Sequence, residues 1–203
     1  MLKYLPREST RVLDVGCGNG SFGSIVKQYL QIEVWGIDIE EKAIEIAKQR
    51  LDNAILGDFL LCNSLPDRYF DAIFFNDVLE HMTDPYYALR ISCRHLSNNG
   101  VIIGSVPNVR HISVIRNLLI KKDWEYSAVG IMDFSHLRFF TMKSLRRILH
   151  KLNFDVVCLE GIKSTDRKLF YVANAILFNW IHDMQFEQIA FVAKAKPPEK
   201  TIS

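Results

Sequence analysis

The chain has 203 residues and a formal net charge of +2; 49% of its residues are hydrophobic and 24% are charged. This composition is typical of a single globular domain, here residues 1–203, and excludes an intrinsically disordered chain. The basic residues are scattered, so no nucleic-acid partner is predicted. No apolar run approaches the roughly 18 residues of a membrane-spanning helix, and a cytoplasmic protein is predicted. The four cysteines are spaced too widely for a zinc site or a disulfide framework, and no metal site is predicted.

The first half of the chain alternates between strand-like and helix-like segments. The predicted strands are 11–15, 33–38, a run ending at Asp58, 69–77 and 101–106, and the predicted helices are 21–30, 40–51 and about 84–96. Asp84 and Pro85 are typical of a helix start. Repeated strand–helix units predict a parallel sheet with helices on both faces.

After Pro107 the pattern changes. A helix is predicted over about 109–122, followed by an irregular aromatic segment and by a helix that Thr141 caps. Two further strand patterns, 154–161 and 186–196, would complete seven strands if they pair antiparallel at a sheet edge. The predicted fold is α/β and Rossmann-like, with a mostly parallel sheet, an antiparallel terminal strand, and substrate-covering insertions near 108–140 and 161–185.

The stretch "VLDVGCGNGSF" places three glycines directly after the first predicted strand. Gly16, Gly18 and Gly20 permit a tight turn that a ligand can approach closely. A strand, a glycine turn and a helix are the general nucleotide-binding arrangement, but Ser21 stands where a dinucleotide fingerprint has its last glycine. Asp14 would repel a pyrophosphate at the helix N-terminus, which disfavours a nicotinamide dehydrogenase. A positively charged donor without phosphate, S-adenosylmethionine, is favoured instead.

Further candidate residues follow the later strands. Asp38 can accept both ribose hydroxyls, Asp58 can accept the adenine amino group, and the Phe59 ring can cover the adenine. The segment "NDVLEH", residues 76–81, follows the fourth strand. Because parallel strands end at the same edge, these residues are expected on one ligand-binding rim.

The runs "VLDVGCGNG", "GIDIE" and "NDVLEHMTDP" resemble the first, second and fourth motifs of class I S-adenosylmethionine-dependent methyltransferases of the type-11 and type-23 kind. The runs "PNVRHISVIRNLL" and "MDFSHLRFFT" are further similar to members associated with bacterial surface-polysaccharide biosynthesis. The resemblance implies S-adenosylmethionine as cofactor. The cofactor contacts expected with it are Asp14, Gly16, Cys17, Gly18, Asn19, Gly20, Asp38, Ile39, Asp58, Phe59, Asn76, Asp77 and Val78.

Histidines are the candidate bases for a hydroxyl acceptor, because imidazole accepts protons near neutral pH. His81 follows the fourth strand and should lie near the reacting methyl group. His136 could form a base with Asp133, while Arg138 could hold an anionic group of the substrate. His111 is a further candidate substrate contact. The sequence does not choose between His81 and His136.

The predicted activity is methyl transfer to an oxygen of a small molecule, with a glycan or sugar-derived acceptor favoured. A hydrophobic quinone-like or lipid-linked metabolite is one alternative, and a non-catalytic cofactor-binding partner subunit is another. The apolar run "LFYVANAILFNWI", residues 169–181, is too short to span a bilayer. It is interpreted as core packing, as a homodimer interface, or as a lid for a hydrophobic acceptor with peripheral membrane contact.

Overall fold

The computed structural model describes residues 1–164, 174 and 178–196. Its sheet has seven strands: β1 Arg11–Val15, β2 Glu33–Asp38, β3 Asn53–Leu56, β4 Phe70–Asn76, β5 Leu96–Pro107, β6 Phe154–Ser164 and β7 Phe186–Ala195. The α-helices of the described ranges are α1 Ser21–Leu30, α2 Glu41–Ala47, α3 Pro85–His95, α4 Ile112–Arg116 and α5 Met142–Lys151.

The strands lie in the order β3-β2-β1-β4-β5-β7-β6. The first five strands pair in parallel, whereas β7 lies between β5 and β6 and is antiparallel to both. The predicted seven-stranded, mostly parallel α/β sheet is thus confirmed. The strand order reverses between β1 and β4, which is where open α/β sheets form a crevice for ligands.

Two apolar cores cover the opposite faces of the sheet. One includes side chains of α1 and α2, and the other includes side chains of α3 and α5. The chain moves outward in one direction from β1 to β3 and in the other direction from β4 to β5. Crossovers of a single hand therefore place the two sets of helices on opposite faces.

The predicted helix starts after β4 and before β6 are confirmed. The Asp84 carboxylate accepts a hydrogen bond from the Tyr87 amide (2.9 Å), and Pro85 occupies the first turn of α3. Thr141 and Ser144 form a reciprocal capping box at the start of α5. Each cap satisfies a backbone N–H that has no partner within its helix.

Several element boundaries differ from the predictions, the clearest at β3 and α4. Strand β3 ends at Leu56, so Asp58 lies in the turn beyond it. The helix expected over 109–122 is instead α4 followed by a π-helical turn, Asn117–Lys121. That turn ends at Lys122, whose φ of 56° is incompatible with a continuing right-handed helix.

Most of the apolar run 169–181 lies outside the described residues, so the lid and the homodimer interface stay predictions. Within the described part, Phe178 and Trp180 are exposed to solvent. Among the described residues, none of the helices has the length and apolar character needed to cross a bilayer.

Candidate active site

The glycine turn follows β1 and leads into α1. Gly16, Gly18 and Gly20 have φ values of 68°, 51° and 75°, all in the left-handed region that glycine adopts without penalty. A Cβ at Gly16 would lie 2.6 Å from Cγ2 of Val78, whereas a Cβ at Gly18 would meet no atom within 4 Å. The turn therefore packs closely against the segment after β4 and leaves open space at its centre.

Asp38 connects this turn to the end of β2. Its Oδ2 accepts a hydrogen bond from the Gly18 amide (2.7 Å), and its Oδ1 accepts one from the Glu40 amide (2.9 Å). A carboxylate offers about four lone-pair positions. The Asp38 side chain is thus held in place by the backbone and can still accept hydrogen bonds from a ligand.

The first cavity at this rim, here called the glycine-turn cavity, has a volume of about 420 Å³. This size is within the range of about 300–1,000 Å³ typical of small-molecule sites. Seven of the predicted cofactor residues line it: Gly16, Asp38, Ile39, Asp58, Phe59, Asp77 and Val78. The wall also contains residues that were not among the predicted cofactor contacts: Val15, Ile37, Gly57, Leu60, Met82 and Thr83.

Asp14 does not stand at the mouth of the turn, as the sequence argument assumed. Its side chain is only 3% exposed and lies beneath the turn, outside the lining of the glycine-turn cavity. Burial raises the pKa of Asp14 to about 7, and the neighbouring negative charge of Asp38 adds to the increase. Asp14 is therefore a buried acid that takes up a proton near neutral pH, rather than an exposed charge.

Other residues of the turn support its shape. The Cys17 side chain is buried, and burial raises the pKa of its thiol to about 12, so it carries no reactive thiolate. Asn19 accepts hydrogen bonds from the amide (3.2 Å) and hydroxyl (2.6 Å) of Ser21 at the start of α1. Gly20 is the N-cap residue of α1. None of the three predicted contacts, Cys17, Asn19 and Gly20, lines the cavity.

Of the two side chains expected around an adenine ring, Asp58 keeps a free carboxylate oxygen position for that role, whereas Phe59 is placed differently from the prediction. Asp58 accepts a hydrogen bond from the Leu60 amide (2.8 Å) through one carboxylate oxygen, Oδ1. The ring of Phe59 is 3% exposed and packs edge-on against Phe75, so it is a buried wall element and not a free stacking surface. Ile39 is 76% exposed at the rim and presents the accessible apolar side chain.

A second cavity, here called the polar cavity, has a volume of about 780 Å³ and adjoins the first. Asp77 and His81 line both cavities, so the two spaces meet at these residues. Polar side chains dominate the wall of the polar cavity. They include three histidines, four carboxylates and one lysine: His81, His111, His136, Asp77, Glu80, Glu125, Glu187 and Lys163.

Asp77 has an unusual backbone conformation at this junction. Its φ of 54° is in the left-handed region, which is unfavourable for residues other than glycine. Its carboxylate accepts hydrogen bonds from the Ser105 hydroxyl (2.9 Å) and from Nε2 of Gln188 (2.7 Å). Neighbouring strands β5 and β7 thus hold the strained residue, and strain of this kind clusters at functional sites.

Asn76, at the end of β4, carries a buried polar group without a partner. Neither the nitrogen nor the oxygen of its side-chain amide has a hydrogen-bond partner within the described residues. Such groups are rare in folded proteins, because an unmade buried hydrogen bond costs about 1–3 kcal/mol. Asn76, a predicted cofactor contact, lies outside the lining of both cavities at this rim.

Glu80, His81 and His136 meet in the wall of the polar cavity. The rings of His81 and His136 are 4.7 Å apart between centroids. Glu80 is 1% exposed, and neither of its carboxylate oxygens has a hydrogen-bond partner within the described part of the chain. Burial raises the pKa of Glu80 to about 8, and the charge of Asp77 contributes to the increase.

The predicted side-chain pair of Asp133 and His136 does not form. Asp133 accepts hydrogen bonds from the hydroxyl and amide of Ser135, which lower the pKa of Asp133. The Nδ1 atom of His136 instead lies 3.0 Å from the Ile131 carbonyl oxygen. A base composed of His136 and Asp133 is therefore not supported.

Arg138 and His111 also differ in their placement. The Arg138 guanidinium donates hydrogen bonds to the carbonyls of Thr83 (2.7 Å) and Leu137 (3.0 Å) and lies outside the wall of the polar cavity. It therefore does not meet the expectation of an anion-binding group in this wall. His111 is buried in the wall, where its Nδ1 accepts from the Ser113 amide at the start of α4.

Comparison with known proteins identifies the family of this chain and several relatives. A family model for the type-23 methyltransferase domain matches residues 1–159. The ubiquinone biosynthesis O-methyltransferase of Shewanella sp. strain ANA-3 is 24% identical over 161 residues, which cover 76% of this chain and 66% of that protein. The 27-O-demethylrifamycin SV methyltransferase of Amycolatopsis mediterranei strain S699 is 32% identical over 101 residues, which cover 46% of this chain and 37% of that protein.

A solved structure shows the same fold. The crystal structure of a SAM-dependent methyltransferase from Archaeoglobus fulgidus aligns with a TM-score of 0.67 and 24% identity, covering 95% of this chain and 89% of that one. The chain spans less than two thirds of the length of the two curated relatives. The family match covers most of the chain, and the predicted motifs lie within it. The chain therefore belongs to the methyltransferase domain family, and it shares the fold of the SAM-dependent methyltransferase from Archaeoglobus fulgidus.

Proposed function

We propose that this protein is an S-adenosylmethionine-dependent methyltransferase that methylates a hydroxyl oxygen of a small polar acceptor, with a glycan or sugar-derived molecule as the leading class. The observation that carries the proposal is the polar cavity, which meets the glycine-turn cavity at Asp77 and His81. A polyhydroxylated acceptor can form hydrogen bonds to the carboxylates and imidazoles of that wall. The excess of carboxylates over its one lysine, Lys163, disfavours an anionic acceptor.

The glycine-turn cavity is the proposed site of S-adenosylmethionine. Asp38 would accept the ribose hydroxyls, and Asp58 would accept the adenine amino group while Ile39 covers the ring. The glycine turn, whose Gly16 lines this cavity, would lie beside the methionine part of the cofactor. When bound, the cofactor supplies a methyl group already activated for displacement by its sulfonium.

The chain's own contribution to the reaction is positioning and proton removal at the junction. Holding the acceptor oxygen in line with the methyl carbon can contribute roughly 7–11 kcal/mol at best, through effective molarity. His81 and His136 hold a proton on Nδ1, since a carbonyl oxygen lies 3.3 Å and 3.0 Å from these atoms. Each ring therefore presents a basic Nε2, and a base of this kind typically contributes about 10²–10⁴-fold to the rate.

A hydrophobic quinone-like or lipid-linked acceptor is the second candidate. One relative is named for ubiquinone biosynthesis. In addition, Leu118, Leu119 and Ile120 expose large apolar side chains. They precede the cavity-lining residues Glu125 and Tyr126 in the chain, which would suit an acceptor with an apolar tail.

Calorimetric titration with S-adenosylhomocysteine tests the cofactor site. Asp38→Ala removes the proposed ribose acceptor, and hydrogen bonds to a charged group contribute about 1.5–3 kcal/mol each. Two such bonds correspond to a loss of affinity of about 100-fold or more. The exposed acid Glu41, three residues further on, provides the control Glu41→Ala, whose affinity should equal that of the wild type. Wild-type affinity in Asp38→Ala would contradict the assignment.

The acceptor class requires a turnover assay. Release of S-adenosylhomocysteine is measured with a panel of sugar derivatives and with a panel of quinols. The proposal expects turnover to rise with a hydroxylated sugar derivative. Turnover with quinols alone would replace the leading proposal by the second candidate.

A further inference from the structure

Glu80, His81 and His136 form a compact set of metal-ligating side chains. One ligand atom from each residue lies within 4.8 Å of the other two. Glu80 is almost fully buried, and both of its oxygens lack hydrogen-bond partners within the described residues. Burial without a partner disfavours the charged form of Glu80, and a bound cation would compensate that charge, because buried charges are normally paired with a counter-charge or coordinate a metal.

The two imidazole rings both have a backbone carbonyl oxygen near Nδ1. Nδ1 of His136 lies 3.0 Å from the Ile131 carbonyl oxygen, and Nδ1 of His81 lies 3.3 Å from that of Ser135. A carbonyl can only accept a hydrogen bond, and the Ser135 hydroxyl, 3.2 Å from Nδ1 of His81, donates its own hydrogen to Asp133. Both Nδ1 atoms therefore carry the proton, and both Nε2 atoms keep a lone pair. Histidine ligands commonly donate their other ring N–H to a carbonyl or carboxylate in this way, which fixes the tautomer and the ring orientation.

The backbone joins the two segments that contribute these side chains. The amides of Leu137 and Arg138 donate hydrogen bonds to the Glu80 carbonyl oxygen, at 2.8 Å and 3.0 Å. The segment that carries His136 is thereby fixed against the turn that carries Glu80 and His81. The three side chains are thus held together by main-chain hydrogen bonds and not by side-chain packing alone.

We propose that Glu80, His81 and His136 bind one divalent transition-metal ion of the zinc type. Two imidazoles and one carboxylate are a donor set found in catalytic zinc sites and in non-haem iron sites, and both leave coordination positions open. Magnesium is disfavoured, because it prefers oxygen ligands and retains its water. All three residues line the polar cavity, so the open positions would face the acceptor.

The chemistry of this site rests on the proposed methyl transfer to oxygen, although its binding test does not. A metal ion would occupy the lone pairs on Nε2 of both histidines, so these rings would no longer act as bases. The ion would instead make a coordinated hydroxyl group of the acceptor acidic enough to lose its proton to water. The resulting oxygen anion forms the new bond to the methyl carbon. The carbon–sulfur bond breaks with its electron pair remaining on sulfur, and no oxidant or reductant is required.

Metal binding is measured by titrating chelator-treated full-length protein with zinc chloride in a calorimeter. One equivalent is expected to bind. Glu80→Gln and His136→Asn each remove a direct ligand and should weaken zinc binding by about 100-fold or more, since loss of an outer-shell partner alone costs about 10–100-fold. His111→Asn changes a histidine of the same cavity outside the cluster and should keep the wild-type zinc affinity. Magnesium chloride should bind far more weakly.

Titration of the same samples with S-adenosylhomocysteine separates the two proposals and verifies that each variant is folded. Zinc binding below one equivalent, or equal zinc affinity in the wild type and in both ligand variants, would overturn the metal site. If S-adenosylhomocysteine still bound in that case, the proposed function would stand. If zinc bound as expected but S-adenosylhomocysteine did not, the metal site would stand and the proposed cofactor site would fail.

Discussion

The buried acid Asp14 should give the protein a characteristic dependence of stability on pH. Burial raises its pKa from the ordinary 3.8 to about 7. The folded protein therefore keeps a proton that the unfolded chain releases as the pH rises from about 4 to 7. Stability from this group is fully present below the unfolded pKa of 3.8 and is lost as the pH rises through the folded pKa of about 7.

The size of the effect follows from the difference between the two pKa values. A difference of about 3, at about 1.4 kcal/mol for each pH unit, corresponds to a loss of about 4 kcal/mol in the free energy of unfolding. At pH 5 the loss is about 1.6 kcal/mol and at pH 8 it is complete. When the pH rises from 5 to 8, the free energy of unfolding should therefore fall by about 2–3 kcal/mol less in Asp14→Asn than in the wild type.

Urea unfolding of the cofactor-free protein at pH 5, 6, 7 and 8 measures this difference. Comparing each protein with itself across pH removes any constant cost of the new amide, and other titrating groups are common to both proteins. Parallel profiles for the wild type and Asp14→Asn would refute the reasoning, because they would show that Asp14 is ionised in the folded state throughout this range.

Asp71 provides the matched control for this experiment. Burial alone would raise the pKa of Asp71, but hydrogen bonds from Thr10 and Ser97 outweigh burial and lower it below its ordinary value. Asp71 is therefore ionised in both the folded and the unfolded states above pH 5. Asp71→Asn should reduce stability by the same amount at pH 5 and at pH 8, with an unchanged profile between them.

Two further substitutions test local features of the fold by their melting temperatures, at about 2–4 °C per kcal/mol for a chain of this length. In Gly16→Ala the left-handed backbone costs about 1–2 kcal/mol, and the new Cβ would lie only 2.6 Å from Val78. This variant should therefore melt several degrees below Gly18→Ala, whose Cβ would meet no atom within 4 Å. Equal melting temperatures of the two variants would contradict the close approach. Thr141→Ala removes the capping box and should lower the free energy of unfolding by about 1 kcal/mol and the melting temperature by about 2–4 °C. The control Lys143→Ala changes an exposed residue of the same helix and should alter the melting temperature little. Equal melting temperatures of the two variants would show that the cap contributes nothing.

The rim of the sheet was predictable because it depends on topology alone. Alternating strands and helices require parallel strands, and parallel strands bring their carboxyl ends to one edge. Asp38, Asp58 and Asp77 line the glycine-turn cavity for this reason, although they are far apart in the chain. Strand β3 is shorter than predicted, yet Asp58 still reaches the rim because it lies in the turn directly after the strand.

The position of Asp14 was not predictable from local pattern. In a strand with one exposed face, side chains alternate, so the orientation of a polar residue can be inferred from its neighbours. Strand β1 is central and is covered on both faces, and Val12, Leu13 and Val15 are buried with Asp14. With no exposed face for comparison, the sequence cannot distinguish a carboxylate that faces a ligand from one that faces the core.

The meeting of Glu80, His81 and His136 was beyond sequence reasoning for a different reason. The sequence identified both histidines but treated them as alternatives, because nothing periodic connects the turn after β4 to a segment about 55 residues later. The backbone amides of Leu137 and Arg138 form that connection by donating hydrogen bonds to the Glu80 carbonyl oxygen. Nothing in the side chains of these two residues indicates such hydrogen bonds. Because these hydrogen bonds bring the two histidines together, His81 and His136 belong to one cluster with Glu80 and are not separate candidates for the base. A lone histidine base would not need the second ring or the buried carboxylate, whereas a bound cation would require all three.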